Sequence, residues 1–136
     1  MLVTERLLWW FLVISGLFHV ALGLFQLLDP GTFFEEVGGY GAENTHYVGD
    51  VGAFTLTAGI VLLLAARHPA WRVPVLTLTA IWYGLHAINH AFDVGEARTE
   101  ARGWLDTGLI ALGALVSAYL AWGASRLHNR GWGSPG

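Results

Sequence analysis

The segment HAINHAFD, residues 86–93, places two imidazoles, an amide and a carboxylate at the end of an apolar run. His86, His90 and Asp93 are spaced i, i+4 and i+7, so a helix gathers them on one face. Two histidines at i,i+4 can bind one divalent ion from a single helical turn, although no HExxH accompanies them here. His46 and Asp50 repeat the same spacing just before another apolar run. Imidazole with carboxylate suits zinc or copper, so the metal set predicted from spacing is His46, Asp50, His86 and His90.

Two other cofactors fit the same residue types. Haem needs axial ligands on opposite faces of a plane, which His86 and His90 on one helix face cannot supply together. His19 and His86, on different segments, could. A quinone would use the pocket differently, exchanging protons with His and Asp. Metal, haem and quinone therefore stay open at this stage, and nothing in the sequence names a substrate or decides whether the chain is an enzyme.

The elements that must position these residues are apolar helices. The 136-residue chain is 54% hydrophobic and 12% charged, against about 25% charged for soluble domains. Four apolar runs, 7–28, 48–66, 73–92 and 103–125, each approach the roughly 20 residues needed to cross a bilayer. The first holds no charge and lacks the small-residue cleavage site of a signal peptide, so it is expected as a membrane helix. The predicted fold is all-α, an integral membrane four-helix bundle over residues 1–125. An outer loop spans 29–47 and a cytoplasmic tail 126–136.

Charge orients the bundle. Arg6, Arg67, Arg72, Arg126 and Arg130 fall on one side, and only Arg98 and Arg102 on the other. The positive-inside rule then puts both termini in the cytoplasm. Trp9, Trp10, Trp71 and Trp122 fit an interfacial belt on that side and Trp104 one opposite. Within the outer loop, Asp29-Pro30 is an N-cap followed by proline, and 32–37 is expected to form a short interfacial helix. Pro74 is expected in the first turn of the third span, and the segment from Asn129 onward is expected to be disordered.

The ionisable groups collect at the outer half. His86 sits about 9 Å below the outer end of its helix, near His90 and Asp93. Asp50 and Asp106 open the second and fourth spans, and His19 and Gln26 lie two turns apart on the first. Each span thus carries a polar stripe, with Thr57 on the second and Thr79, Tyr83 and Asn89 on the third. Lipid-facing ionisable groups cost several kcal/mol, so the stripes should face one another across a pocket open to the non-cytoplasmic side. Gln26, Tyr83, Asn89, Asp93 and Asp106 complete that pocket. Polar groups between membrane helices also serve as simple interhelical glue, and His46–Asp50 or Arg102–Asp106 could be local pairs near the headgroups.

The composition excludes other classes. With no cysteine there is no disulfide, thiolate ligand or Cys nucleophile. The net charge of -3, with seven Arg and no Lys, offers no nucleic-acid surface. No phosphate loop or Ser-His-Asp spacing is present.

Three stretches carry a family resemblance: Gly16-Leu17-Phe18-His19 with Leu28-Asp29-Pro30; Asn44-Thr45-His46-Tyr47-Val48-Gly49-Asp50-Val51-Gly52-Ala53; and Trp82-Tyr83-Gly84-Leu85-His86-Ala87-Ile88-Asn89-His90. With these the chain resembles the small four-helix DoxX-like membrane proteins and the related DUF4345-like group over most of residues 6–122. The resemblance implies a membrane protein associated with an oxidoreductase, but assigns no catalytic residue. The functional expectation is a small membrane protein whose outward His/Asp pocket binds a metal or a small redox ligand. It would work beside a membrane oxidoreductase partner or as a homo-oligomer. A non-catalytic scaffold subunit and a small proton-coupled carrier are the alternatives.

Overall fold

The computed structural model describes residues 3–132, and these are all helix and connecting turns. The helices are α1 (Glu5–Leu28), α2 (Pro30–Glu36), α3 (Thr45–Arg67), α4 (Pro69–Phe92) and α5 (Glu100–Trp132), with one 3-10 turn at Val94–Glu96. Among the described residues, α1, α3 and α5 are long and apolar enough to cross a membrane. The chain is a multi-pass helical membrane protein.

Local chemistry sets the helix starts. The side chains of Thr4, Asp29 and Asn44 each accept a hydrogen bond from a backbone N–H three residues on, satisfying a donor that the first turn leaves free. The Asp29-Pro30 start of α2 is as expected. Two boundaries differ. The third apolar helix begins at Pro69, which occupies the first-turn position, so Pro74 lies inside α4 and removes an interior backbone donor. Its fourth counterpart does not stop at 125: α5 continues through Trp132, into the segment expected to be disordered, and 133–136 lie outside the described residues.

The long helices alternate in direction. Only His68 separates α3 from α4. Arg72, near the start of α4, pairs with Glu5 at the start of α1. At this terminal end, the Val3 side chain packs against Gly123 of α5. At the opposite, loop end, Tyr40 and Ala97 form an isolated antiparallel bridge, and Gly41 N–H donates to Glu96 O at 3.2 Å. The two loops are thereby joined across the bundle.

Packing is uneven around the bundle. α1 lies closely on α3 and α4 on α5; these hairpins meet through α3 and α4, while α1 and α5 touch at few places. The α1–α3 seam is made of glycine. A Cβ placed on Gly59 would stand 2.6 Å from Val20 N and 2.9 Å from Gly16 O, and one on Gly52 would stand 3.2 Å from Gly23 O. Backbones this close gain dispersion energy in lipid, where no hydrophobic force draws helices together. The terminal half is filled by Leu8, Leu12, Leu62, Ala65, Ala66, Val75, Leu76, Leu120, Ala121 and Ala124. The loop half holds a cavity instead.

Candidate functional site

The cavity has a volume of about 470 Å³ and lies between the two hairpins. Its floor is a hydrogen-bonded pair. Tyr83, on α4, lays its ring against Gly113 of α5 and reaches His19 of α1, with Oη 2.6 Å from Nε2. His19 Nδ1 is 2.7 Å from the Ser15 carbonyl oxygen. A carbonyl can only accept, so Nδ1 carries the proton, and in the neutral tautomer Nε2 accepts the Tyr83 hydroxyl. Gly113 matters because a side chain there would push the Tyr83 ring off this position.

One wall is a row of rings along α4. Trp82 stacks on Tyr83, with centroids 5.0 Å apart, and on His86, at 5.3 Å and 15° between planes. His86 in turn meets His90 at 4.5 Å. Above them, Tyr40 from the 37–44 loop packs edge-on against His90 at 4.4 Å. Gly41, at φ 62°, makes the turn that brings this loop over the cavity. Burial and the nearby Asp106 carboxylate push the Tyr40 phenol above its ordinary value, so it stays a neutral hydroxyl.

Two polar atoms bordering the cavity are buried without a protein partner, Gln26 Oε1 from α1 and His90 Nδ1 from α4, while the Tyr40 hydroxyl faces the Asp106 carboxylate. Gln26 is only 5% exposed. A buried polar group left unsatisfied costs about 1–3 kcal/mol, so two around one space mark it as built for polar company. The charged groups stay at the mouth. Arg102 binds Asp106 through Nε at 3.0 Å, and Asn89 donates to Asp93 at 3.1 Å.

The sequence expectations separate here. His19, Gln26, Tyr83, His86, Asn89, His90, Asp93 and Asp106 all line the cavity. His46 and Asp50 do not. They pair with each other at 3.6 Å, with side chains 90% and 69% exposed. The buried face of α3 runs through Val48, Gly52, Thr55, Gly59 and Leu62, which turns His46 and Asp50 away from the bundle. Among the described residues, no three His, Asp or Glu side chains are grouped to hold a metal ion. The expected four-ligand set of His46, Asp50, His86 and His90 is therefore not assembled. Its two halves share a spacing and a depth but not a direction. His19 is no free iron ligand either, because Ser15 and Tyr83 occupy both of its ring nitrogens. On α3 the buried polar residue lining the cavity is Thr55, with Tyr47 at the start of the helix. Thr57 is exposed and bonds back to the Ala53 carbonyl oxygen at 2.8 Å.

Two contributors escaped the sequence reading. Tyr40 sits in a glycine-rich loop whose fold over the bundle no periodicity announces. Arg102 reaches the cavity wall only because its i,i+4 partner Asp106 holds it there.

Comparison with known proteins adds a family. The family model described as "Domain of unknown function (DUF4345)" matches residues 7–92, from the first turn of α1 to the end of α4. The chain belongs to the DUF4345 family. No curated protein and no solved structure matches it. The DUF4345 match takes in His19, Gln26, Tyr40, Tyr83, His86 and His90, and so most of the cavity's polar wall. It stops short of α5, which closes the bundle with Gly113, Leu109 and Ile110.

Proposed function

We propose that this DUF4345 protein crosses the membrane four times, with both termini cytoplasmic, and binds a small, largely apolar, redox-type ligand in a pocket open to the opposite side. The observation that carries the reading is the cavity, with the partnerless Gln26 Oε1 and His90 Nδ1 beside an aromatic wall.

The fourth crossing is α4. Its 24 residues would span about 36 Å, and it follows α3 after a single residue. Its low hydropathy comes from Thr79, Tyr83, His86 and His90, which are only partly exposed and lie toward α5 or the cavity. The arginine asymmetry supports the orientation. Membrane-buried polar groups are a functional signal by default, and the cavity shape favours a ligand over simple glue. Glue would close the space between its polar groups.

The polar groups also form a graded path. Asp93 and Asp106 meet water at the mouth, His90 and His86 follow, and the Tyr83–His19 pair ends it at mid-helix. Below that pair the core is mostly aliphatic, with the buried Ser117 hydroxyl as an isolated polar group. Protons can reach a ligand in the cavity by this path, and among the described residues Ser117 alone does not extend it as a connected chain to the other side. This favours proton exchange with a bound molecule over transport through the bundle. The link to a membrane oxidoreductase follows from the DoxX-like resemblance.

Organic extraction of gently purified protein, followed by mass spectrometry, tests the reading. A non-phospholipid small molecule near one per chain is expected. It should be lost in a folded Gln26→Leu variant, which removes a buried, unpartnered polar group from the cavity. Equal recovery from both proteins, or none from the wild type, would reject the pocket as a binding site.

A further inference from the structure

The cavity has a second edge that faces neither loop. Phe18 and Leu22 of α1 and Leu109 and Ile110 of α5 line it, on the seam where those two helices barely touch. Phe18 is 57% exposed and Leu109 is 59% exposed, although both also border the cavity. Both lie well within helices apolar enough to span the bilayer, so their exposed faces contact lipid. Toward the terminal end the bundle is sealed by Val3 against Gly123 and by the aliphatic core. At the loop end, Tyr40, the Tyr40–Ala97 bridge and the Arg102–Asp106 pair crowd the direct route from water.

We infer that the ligand enters sideways from the bilayer through the α1–α5 seam, and that it is a lipid-dissolved molecule with an uncharged, oxygen-bearing ring head and a hydrocarbon tail. This rests on the reading that the cavity binds a ligand, and specifies which ligand and by which route. The head must be uncharged because the deep polar groups carry no opposing charge. Gln26 is an amide, His19 is held between Ser15 and Tyr83, and Arg102, the arginine lining the cavity, is already paired with Asp106. The head must offer a hydroxyl donor, because Gln26 Oε1 can only accept and is buried without a partner, and His90 Nδ1 is unpartnered on the same cavity. It should be flat, because the Trp82–Tyr83–His86 row presents stacked planar faces. The tail lies along Phe18 and Leu109, where aliphatic surface passes continuously from cavity to lipid. Phospholipids do not fit, since a phosphate at this depth would have no cation to meet.

The test uses full-length protein in nanodiscs and two probes: a benzoquinol bearing a ten-carbon chain and the same benzoquinol without it. The chain has no native cysteine, so a single Leu109→Cys substitution can carry a bulky maleimide at the seam. Leu112→Cys, lipid-facing and away from the cavity wall, serves as the control. The tailed probe should bind unlabelled protein and Leu112-labelled protein alike, and its binding should be lost on labelling at position 109. The tailless probe should bind more weakly to unlabelled and Leu112-labelled protein. If both probes bind and the label at 109 changes neither, the pocket is real but filled from water, and the lateral route is wrong. If neither probe binds unlabelled protein, the ligand class is wrong. A small molecule recovered by extraction in that case would still uphold the pocket.

Discussion

Replacing Gly59 by alanine should destabilise the protein even though alanine is the better helix former. The added Cβ would stand 2.6 Å from Val20 N and 2.9 Å from both Gly16 O and Val20 Cγ2. Two of these are backbone atoms and cannot rotate away. The α1 and α3 helices must therefore part by roughly 0.5–1 Å, which forfeits a quarter to a half of each dispersion contact along the seam. Overpacking of this kind costs about 1–3 kcal/mol. Helix propensity acts in the opposite direction by at most about 1 kcal/mol, so the net loss should reach about 2 kcal/mol, and about 1–3 kcal/mol relative to an unhindered glycine-to-alanine change. Gly84 and Gly108 provide the comparison. Both are helical and neither has anything within 4 Å of an added Cβ. Their alanine variants should be neutral or slightly more stable. Equilibrium unfolding in mixed micelles, followed by far-UV circular dichroism, measures all three. Gly59→Ala unfolding at the same denaturant fraction as Gly84→Ala would refute the close glycine seam, and with it the placement of His19 and Gln26 on the cavity.

Other outcomes follow from the same geometry. Tyr83→Phe keeps the ring against Gly113 but leaves His19 Nε2 without its donor; it should cost about 1 kcal/mol in the same unfolding assay, and a change near zero would mean the pair is not formed. His46→Ala should alter stability by less than about 0.5 kcal/mol, since an exposed ion pair contributes little. A larger loss, or a bound metal that disappears with it, would restore His46 to the site. Single cysteines at Glu43 and Ala70, both exposed in the structure, should react with an impermeant thiol reagent from opposite faces of the membrane, Glu43→Cys from outside intact cells. Labelling from the same face would overturn the four-crossing topology.

The spans were legible because a helix in hydrocarbon must be apolar for about 20 residues, and α1, α3 and α5 keep that pattern. The inward direction of His19, Gln26, Tyr83, His86 and His90 was legible for a related reason: deep in lipid they have nowhere else to turn. That reasoning weakens at the membrane surface, and there it failed. Asp50 and His46 share the depth of the outer site, but water can solvate them, so cost no longer dictates direction. Only the rotation of α3 about its axis decides, and that is set by Gly52 and Gly59 meeting α1. Glycine pairing is a tertiary event that spacing on one helix does not reveal. Tyr40 was hidden differently. Its position depends on a left-handed turn at Gly41 and a single backbone bridge to Ala97, contacts between segments more than fifty residues apart. Pro74 misled because proline suits a first turn, and Pro69 had already taken it.

The central claim is that the space bounded by Gln26, Tyr40, Tyr83 and His90 is a ligand site. An electron-density or cryo-electron-microscopy map of the protein in native-lipid nanodiscs tests it most directly. The account predicts non-protein density within hydrogen-bonding distance of Gln26 and His90, lying flat along Trp82 and His86 and extending between Phe18 and Leu109 toward lipid. A cavity closed by its own side chains, or His86 and His90 rings turned outward into the bilayer, would contradict it.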